Sequence, residues 1–285
     1  FSLGALGNQQ VGYYDYLQTI SSGGTISYAF GDKNKASGAS ISAPNASDFT
    51  WETVVTKNIG LDLGLLNNRL NMTADIYVRD TKDMLMASKD LPNVYGASSP
   101  KTNAANLRTK GWEASISWND SFNLKGKAFH YSVVLGLADN TTKVTKYNND
   151  NKTLGTPYEG QQLGEIWGYV VDGLFKTDEE AENYPVNQSY VNNILNISVK
   201  SQGLHAGDVK YVDLDGDNII SPTLSANDVK DQKVIGNSLP RYTYSVRLAA
   251  DWNGIDFSAL LQGVGRQHWY PNGETSRSEE HTSEL

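Results

Sequence analysis

Apolar and polar residues alternate along this chain in long, regular runs. Ile59, Leu61, Leu63 and Leu65 share one face of a predicted strand, with Gly60, Asp62 and Gly64 on the other. A turn at Asn67-Asn68 leads into Leu70, Met72, Ala74, Ile76 and Val78, which alternate with Asn71, Thr73, Asp75, Tyr77 and Arg79. Period-two alternation on both sides of a polar turn predicts a β-hairpin, with arms of roughly ten residues. Trp112, Ala114, Ile116 and Trp118 predict a second hairpin with Phe129, Tyr131, Val133, Leu135 and Leu137, turning between Asn123 and Lys127. Tyr242 to Trp252 and Ile255 to Leu261 predict a third across Asn253-Gly254. Sequential hairpins of this kind form a meander.

Strand length separates the architectures such a meander can adopt. Strands of globular proteins peak at about five or six residues, whereas about ten suits a tilted membrane span. The polar faces carry Asp62, Asp75, Arg79, Glu113, Arg241, Arg247, Asp251 and Asp256, too many charges for a packed interior but suited to a wet lumen. A soluble sandwich would turn the same charges to solvent. Long polar connections, Gly31 to Asp48, Ala87 to Asn103, Thr141 to Gly160 and Lys176 to Ala206, alternate with the short turns. Outer-membrane barrels follow that rule, with short turns inside and long loops outside. Within the last connection, Thr177 to Asn183 predicts a short helical turn capped by Thr177. Less regular patterns at Tyr13 to Ile20 and Thr25 to Phe30 predict two further strands joined through Ser21 to Gly24.

Composition narrows the function classes. No run approaches the 18 or so apolar residues of a transmembrane helix, and the polar average is compatible with a barrel that shows only alternate residues to lipid. Tyrosine outnumbers phenylalanine by 16 to 7, and amphipathic aromatics at strand ends suit a membrane interface or a carbohydrate-binding sandwich. The absence of cysteine rules out disulfides and thiolate metal sites. A net charge of −8 argues against nucleic acid. His130, His205, His268 and His281 are scattered, and no Walker loop, HExxH or serine elbow occurs, so no enzymatic activity is expected.

Two strings carry the most local information. The first is Gly164-Glu165-Ile166-Trp167-Gly168-Tyr169, followed by Asp172-Gly173. Trp167 and Tyr169 could stack on a sugar ring while Asp172 and neighbouring amides reach its hydroxyls; the commoner use of such residues is packing a loop on a barrel rim. The second is Gly207 to Asp217, in which Asp213, Asp215 and Asp217 have the first three oxygen-ligand spacings of an EF-hand-like loop. Asn218 stands where glycine usually makes the turn, Ile220 at the apolar eighth position, and Leu224 where the twelfth-position acid belongs. Asp228 would complete a calcium set if Ser221 to Asn227 loops out; otherwise the string is an Asp/Gly-rich turn held by its own side chains.

These strings, in order, resemble the C-terminal barrel half of the SusC/RagA-type TonB-dependent transporters of the Bacteroidetes outer membrane. The similar segments also include Trp51-Glu52-Thr53, Asn58 to Asp62, Asp75-Ile76-Tyr77, Asp80 to Leu85, Asn103 to Leu107 and Lys110 to Glu113. They continue with Glu159-Gly160-Gln161, Val234 to Ser238, Pro240-Arg241-Tyr242 and Gln262 to Gly265. The resemblance implies an all-β, antiparallel transmembrane barrel of roughly 22 strands with a plugged lumen and long extracellular loops. This chain supplies roughly eight to ten of those strands, so it reads as a fragment lacking the plug and terminal strands. It further implies active import of an oligosaccharide or peptide with a SusD-like surface lipoprotein, powered by a TonB complex contacted through the missing N-terminal region. No cofactor is required, with calcium as a structural option. A different outer-membrane barrel, such as a siderophore receptor or porin, and a soluble carbohydrate-binding β-sandwich are the alternatives. Residues 1–276 are expected to form the partial barrel domain. Arg277 to Leu285 resembles a translated sequencing adapter and is set apart from the fold.

Overall fold

The computed structural model describes residues 1–8, 19–30, 34–41, 50–87, 99–194 and 203–269. The tail from Arg277 to Leu285 and the segment Tyr13 to Gln18 lie outside the described residues.

Seven strands form one antiparallel sheet in the order β1-β4-β5-β6-β7-β12-β13. They are β1 (Ser2–Asn8), β4 (Glu52–Leu65), β5 (Leu70–Ala87), β6 (Lys101–Leu124), β7 (Lys127–Lys146), β12 (Arg241–Trp252) and β13 (Ile255–Arg266). The three predicted hairpins are present, each closed through left-handed backbone that includes at least one Asn or Gly. Lys125 and Gly126 (φ 51° and 80°) and Asn253 and Gly254 (φ 52° and 81°) make two-residue turns with both φ values positive. That is the turn whose twist matches paired strands. A four-residue loop, Leu66 to Arg69, joins β4 and β5, with positive φ at Leu66, Asn67 and Asn68.

The arms are longer than expected, 12 to 24 residues rather than about ten. Thr141 onward, expected as a connection, continues β7 to Lys146 because another partner takes over above the end of β12. Leu163 donates to the Thr142 carbonyl (2.9 Å), and Val144 exchanges backbone hydrogen bonds with Gln161 and Gly160. Likewise β6 begins at Lys101, inside the expected Ala87–Asn103 connection. At the N-terminal side, Ser21 to Gly24 is not a turn. It lies within one strand, β2 (Ile20–Phe30), which pairs with β3 (Asn34–Ile41) inside the expected polar stretch from Gly31. Alternation was a poor guide there because small and polar residues occupy both faces.

The register carries the apolar residues across the sheet in rows. Ile59 faces Ile76 and Trp112; Leu63 faces Met72 and Ile116, and then Leu135, Val246 and Leu261. This face is open: Ile59 is 63% exposed and Ile76 65%. Burying one aliphatic side chain is worth about 1.5–3 kcal/mol. A row of them in water would therefore consume the ~5–15 kcal/mol that stabilises an ordinary domain. A soluble sandwich would cover the face with a second sheet, yet the described residues place no such layer on it. Lipid is the solvent that suits it. The other face carries Asp62, Asp75 opposite Glu113, and Asp251 opposite Asp256, as expected of a wet lumen.

Arg241 departs from that lumen set. It pairs with Asp139, which shares the face of Leu135 and Leu137, because Tyr242 at φ 55° interrupts the alternation at the start of β12.

Candidate functional site

All three short turns lie at one end of the sheet, and between β7 and β12 the opposite end carries an insertion of its own fold. It contains two ribbons, β8 (Glu165–Tyr169) with β11 (Gln232–Asn237) and β9 (Val171–Leu174) with β10 (Val209–Tyr211), and two short helices, α1 (Asp178–Glu182) and α2 (Ser189–Ile194). The side chains buried most completely among the described residues, Phe175, Ile220 and Asp231, all belong to it. The strand wall faces solvent or lipid while this insertion packs like a small soluble domain. The predicted Thr177 cap is present, its hydroxyl accepting from the Glu180 N–H at 3.1 Å.

The Gly164–Tyr169 string fastens the insertion to the wall. Gly164 (φ 79°) sits against the Asn237–Leu239 corner so closely that a Cβ would lie 2.6 Å from Asn237 Oδ1 and 2.7 Å from Leu239. Ser238 donates to the Gly164 carbonyl at 2.7 Å, and Asn237 Nδ2 to the Leu163 carbonyl at 2.9 Å. The corner runs directly into Pro240-Arg241 and β12. Glu165 is the hub of the polar contacts. Its carboxylate accepts from the Tyr158 hydroxyl, from Trp167 Nε1 (2.9 Å) and from the Gln162 N–H (3.3 Å). Burial, reinforced by the Glu165 charge, pushes the Tyr158 hydroxyl up to about 12.

Trp167 therefore has its indole N–H committed to Glu165 rather than free for a ligand. Tyr169 stacks edge-on against Tyr211 with ring centroids 5.6 Å apart, and its hydroxyl is buried without a hydrogen-bond partner among the described residues. Burial, followed by neighbouring Tyr190 and Asp231, raises it to about 12. Asp172 is well exposed and reaches Lys210 at 3.4 Å. Lys210 in turn bonds Glu180 at 3.1 Å and lies over the Tyr184 ring, tying α1 to β10.

The aspartate string folds into a tight loop. Asp213 accepts from the N–H groups of Gly216 (2.6 Å) and Asn218 (2.7 Å), and Asn218 adopts the left-handed conformation (φ 65°) where glycine was expected. Burial alone would raise the Asp213 carboxyl, but these N–H donors outweigh it and hold it below the usual carboxylate range. Asp213 and Asp215 come together with Asp231, their oxygens within 4.8 Å of one another. Asp217 instead accepts from the Ile219 N–H at 2.7 Å, and Asp228 faces Lys230 at 3.8 Å, so neither joins this cluster. Asp231 also braces both sides of the loop, accepting from Leu214 (2.8 Å) and Ser221 (2.7 Å). Sequence spacing gave no hint of Asp231, because the intervening Thr223 to Lys230 segment returns it to the loop through tertiary contacts. Glu165 was visible in its string, but without pairing information nothing ranked it, and Tyr158 belongs to neither string.

The arrangement brings together hydrogen-bonded aromatics, amides and carboxylates, with no nucleophile–base pair among the described contacts. Those contacts hold the insertion together and fasten it to the wall. A sequence profile described as "TonB dependent receptor-like, beta-barrel" matches residues 8–283. TonB-dependent receptor P39 of Formosa agariphila is 28% identical over 90% of this chain, and receptor P3 of the same organism 26% identical over 92%. The chain spans about a quarter of the length of either, 25% in each case. Among solved structures, the RagAB peptide transporter superposes with a TM-score of 0.62 at 20% identity, covering 91% of this chain and 25% of the neighbour. The RagAB peptide importer in the open-open state gives 0.63 at 21% identity, covering 90% and 24%. These structural likenesses speak to the fold. With alternation, turn sidedness, the single-layer wall and the profile in agreement, the chain belongs to the TonB-dependent receptor β-barrel family of the outer membrane.

Proposed function

We propose that this chain is a stretch of the wall, with one large extracellular loop, of an active importer that takes up an oligosaccharide or a peptide. The whole receptor works with a SusD-like surface lipoprotein and with a TonB complex, which it contacts through a segment outside this chain. One observation carries the reading: a lipid-facing single-layer sheet has tight turns at one end and a separately packed insertion at the other. The insertion suits capture at the outer surface, and the charged inner face suits a hydrated passage. The RagAB neighbours are peptide importers, which favours peptide as readily as oligosaccharide. The process is binding and gating, without bond chemistry.

The test is uptake of labelled peptide and oligosaccharide pools by cells carrying the complete receptor gene, a deletion of it, or a TonB-deficient background. Loss of uptake of one pool in both the deletion and the TonB-deficient strain supports the reading. Uptake that requires the receptor but not TonB points to a passive porin and sinks it.

A narrower second reading concerns the aspartate loop. We propose that Asp213, Asp215 and Asp231 hold a structural calcium ion, which needs six or more oxygens and so also recruits carbonyls or water. Support comes from the convergence of the three carboxylates; Lys230, 3.4 Å from Asp215, is the competing counter-charge. Calcium should raise the thermal midpoint of the full receptor and fail to do so in Asp213→Asn. No calcium-dependent shift in the unmodified receptor would refute it.

A further inference from the structure

The lumen-facing side of the wall is smooth where its glycines lie. Tyr77 on β5 reaches over Gly111 of β6, so that a Cβ there would meet the tyrosine ring at 2.5 Å. Asp75, two residues along the same strand, leans the other way over Gly60 of β4, and Ser245 of β12 covers Gly136 of β7. Side chains laid along the sheet in this way leave a shallow groove of about 460 Å³ across β5, β6, β7, β12 and β13. Thr73, Asp75, Glu113, Ser115, Ser245 and Gln262 line it, all on the lumen side, because alternation is unbroken through these rows. Tyr77 closes the upper margin: Gly111, which its ring covers, is two residues from Glu113 on β6.

The lining selects a class of ligand. Among the described residues no lysine or arginine lines the groove, and its two carboxylates, Asp75 and Glu113, stand directly opposite each other. Anionic cargo is therefore repelled. Strands β6, β7 and β12 are paired on both sides, so their backbone groups are spent in the ladder and an extended peptide finds no edge to join. Val134 and Ala138 are the only apolar side chains of the lining on the lumen side, too little to seat the alternate side chains of a peptide. The groove offers hydroxyl, amide and carboxylate groups instead. Thr73, Glu113 and Gln262 are exposed, and no hydrogen bond engages their side chains among the described residues. Asn58 Nδ2 donates to Asp75 Oδ1 at 2.8 Å, which fixes that carboxylate and leaves Oδ2 open. Tyr77 supplies an amphipathic ring beside them. Arg79, 5.8 Å from its centroid, is close to the limit of a cation–π contact, and Tyr77 keeps part of its surface open.

We propose that this groove binds an uncharged oligosaccharide on the lumen wall, one sugar ring packing its C–H face on Tyr77 while its hydroxyls meet Glu113, Asp75 and Gln262. A pyranose pairs an apolar face with a rim of hydroxyls that both donate and accept. The carboxylates accept from those hydroxyls, and the Gln262 amide does both. The groove falls within the ~300–1,000 Å³ of ordinary ligand clefts, room for a short run of such rings. The inference rests on the importer reading and narrows its cargo from oligosaccharide or peptide to uncharged oligosaccharide. It also moves the aromatic contact away from Trp167 and Tyr169, whose polar atoms are committed or buried, to Tyr77.

The complete receptor, purified in detergent, is screened on an array of neutral and uronate-bearing oligosaccharides. The tightest neutral binder is then titrated beside hexalysine, the cationic peptide that two carboxylates alone would select. A neutral oligosaccharide should bind, with uronate-bearing relatives and hexalysine weaker by about tenfold or more. Tyr77→Ala should weaken the neutral sugar by about tenfold, and Glu113→Ala by a similar factor. Glu113→Gln, which still accepts from a hydroxyl, should recover most of that loss. If Tyr77 only braces Gly111, Tyr77→Ala lowers stability and leaves the affinity where it was. Binding of no neutral oligosaccharide, tighter binding of hexalysine, or unchanged affinity in Tyr77→Ala would each overturn the proposal. If Tyr77→Ala does not assemble, Glu113→Ala, at an exposed neighbour, decides in its place. The uptake experiment above separates the two readings. TonB-dependent uptake of peptide with no neutral sugar bound leaves the importer standing and refutes the groove, whereas sugar binding with TonB-independent uptake refutes the importer alone.

Discussion

Arg241 grips Asp139 through two hydrogen bonds, Nε to Oδ1 and Nη2 to Oδ2, each 2.5 Å, joining residues 102 apart in sequence. The Asp139 side chain is nearly buried and that of Arg241 about three-quarters so. The pair locks the start of β12 to β7 where the insertion rejoins the wall. A guanidinium fits a carboxylate at two points, which an ammonium cannot. Arg241→Lys should therefore cost about 1 kcal/mol and Arg241→Ala about 2–3 kcal/mol, the latter leaving a nearly buried carboxylate unpaired. The urea midpoint of the refolded full-length receptor checks both. Equal midpoints for the two variants would show that the two-point geometry does not matter.

Glu165 supports the insertion from within. Glu165→Ala removes the acceptor of the Tyr158 hydroxyl and of the Trp167 indole together, and each buried donor left unsatisfied costs about 1–3 kcal/mol. Trp167→Phe removes one of these bonds and keeps most of the packing, for a loss of about 1 kcal/mol. Limited proteolysis of intact cells should cut the insertion sooner in Glu165→Ala than in Trp167→Phe, with the strand wall remaining resistant. The reverse order would remove Glu165 from its central role.

Two glycines with similar backbone conformations separate backbone preference from close packing. Gly160 (φ 96°) has open space where a Cβ would lie, so Gly160→Ala should cost only the left-handed penalty of about 1–2 kcal/mol. Gly164 (φ 79°) meets Asn237, Leu239 and Ser238 within 3.0 Å, so Gly164→Ala adds a steric cost of about 1–3 kcal/mol. Thermal melts of the two variants should differ by several degrees, with Gly164→Ala the lower. Coincident melts would mean that the Asn237–Leu239 corner yields without cost.

The insertion should lose stability at both extremes of pH, in different windows. The backbone N–H of Ala206 holds Asp178, and that of Lys176 with the Lys210 ammonium holds Glu180, below the usual carboxylate range; Asp213 is held there by its loop. Lowered folded-state values contribute stability that is complete above the ordinary carboxylate pKa of about 4 and is lost as pH falls through the lowered values. Tyr158 and Tyr169 are raised to about 12. Their contribution is complete below the ordinary tyrosine value of about 10 and is lost as pH rises through about 12. Hydrogen exchange of insertion amides against pH should show protection falling below about pH 4 and again above about pH 10. Uniform protection across the acid range would contradict the assignment of these carboxylates.

Much of the wall was legible because each residue of a lipid-facing strand reports its side directly. Ile59 to Leu65 and Tyr242 to Trp252 could be assigned to faces one residue at a time, and the turns at Asn67-Asn68 and Asn253-Gly254 announced themselves by residues that accept positive φ. Arg241 was misassigned because one residue, Tyr242, leaves the alternating path, and nothing in its side chain requires that. The N-terminal ribbon was misread because serine, glycine and alanine mark neither face. The outer-surface site was less legible still. Its strings stood out, but the partners that position them, Tyr158 for Glu165 and Asp231 for Asp213, are brought close by folding and follow no spacing rule.

The sequence by itself determined the strand period, the lipid and lumen faces, the sidedness of the turns and the family resemblance, all of which are local or near-local properties of a chain in extended pairing. Only the tertiary structure decided how far the strands rise beyond the membrane and how the insertion locks onto β7 and β12. It also decided which carboxylates meet. Those outcomes depend on register and long-range closure, where one residue's shift moves every side chain to the opposite face.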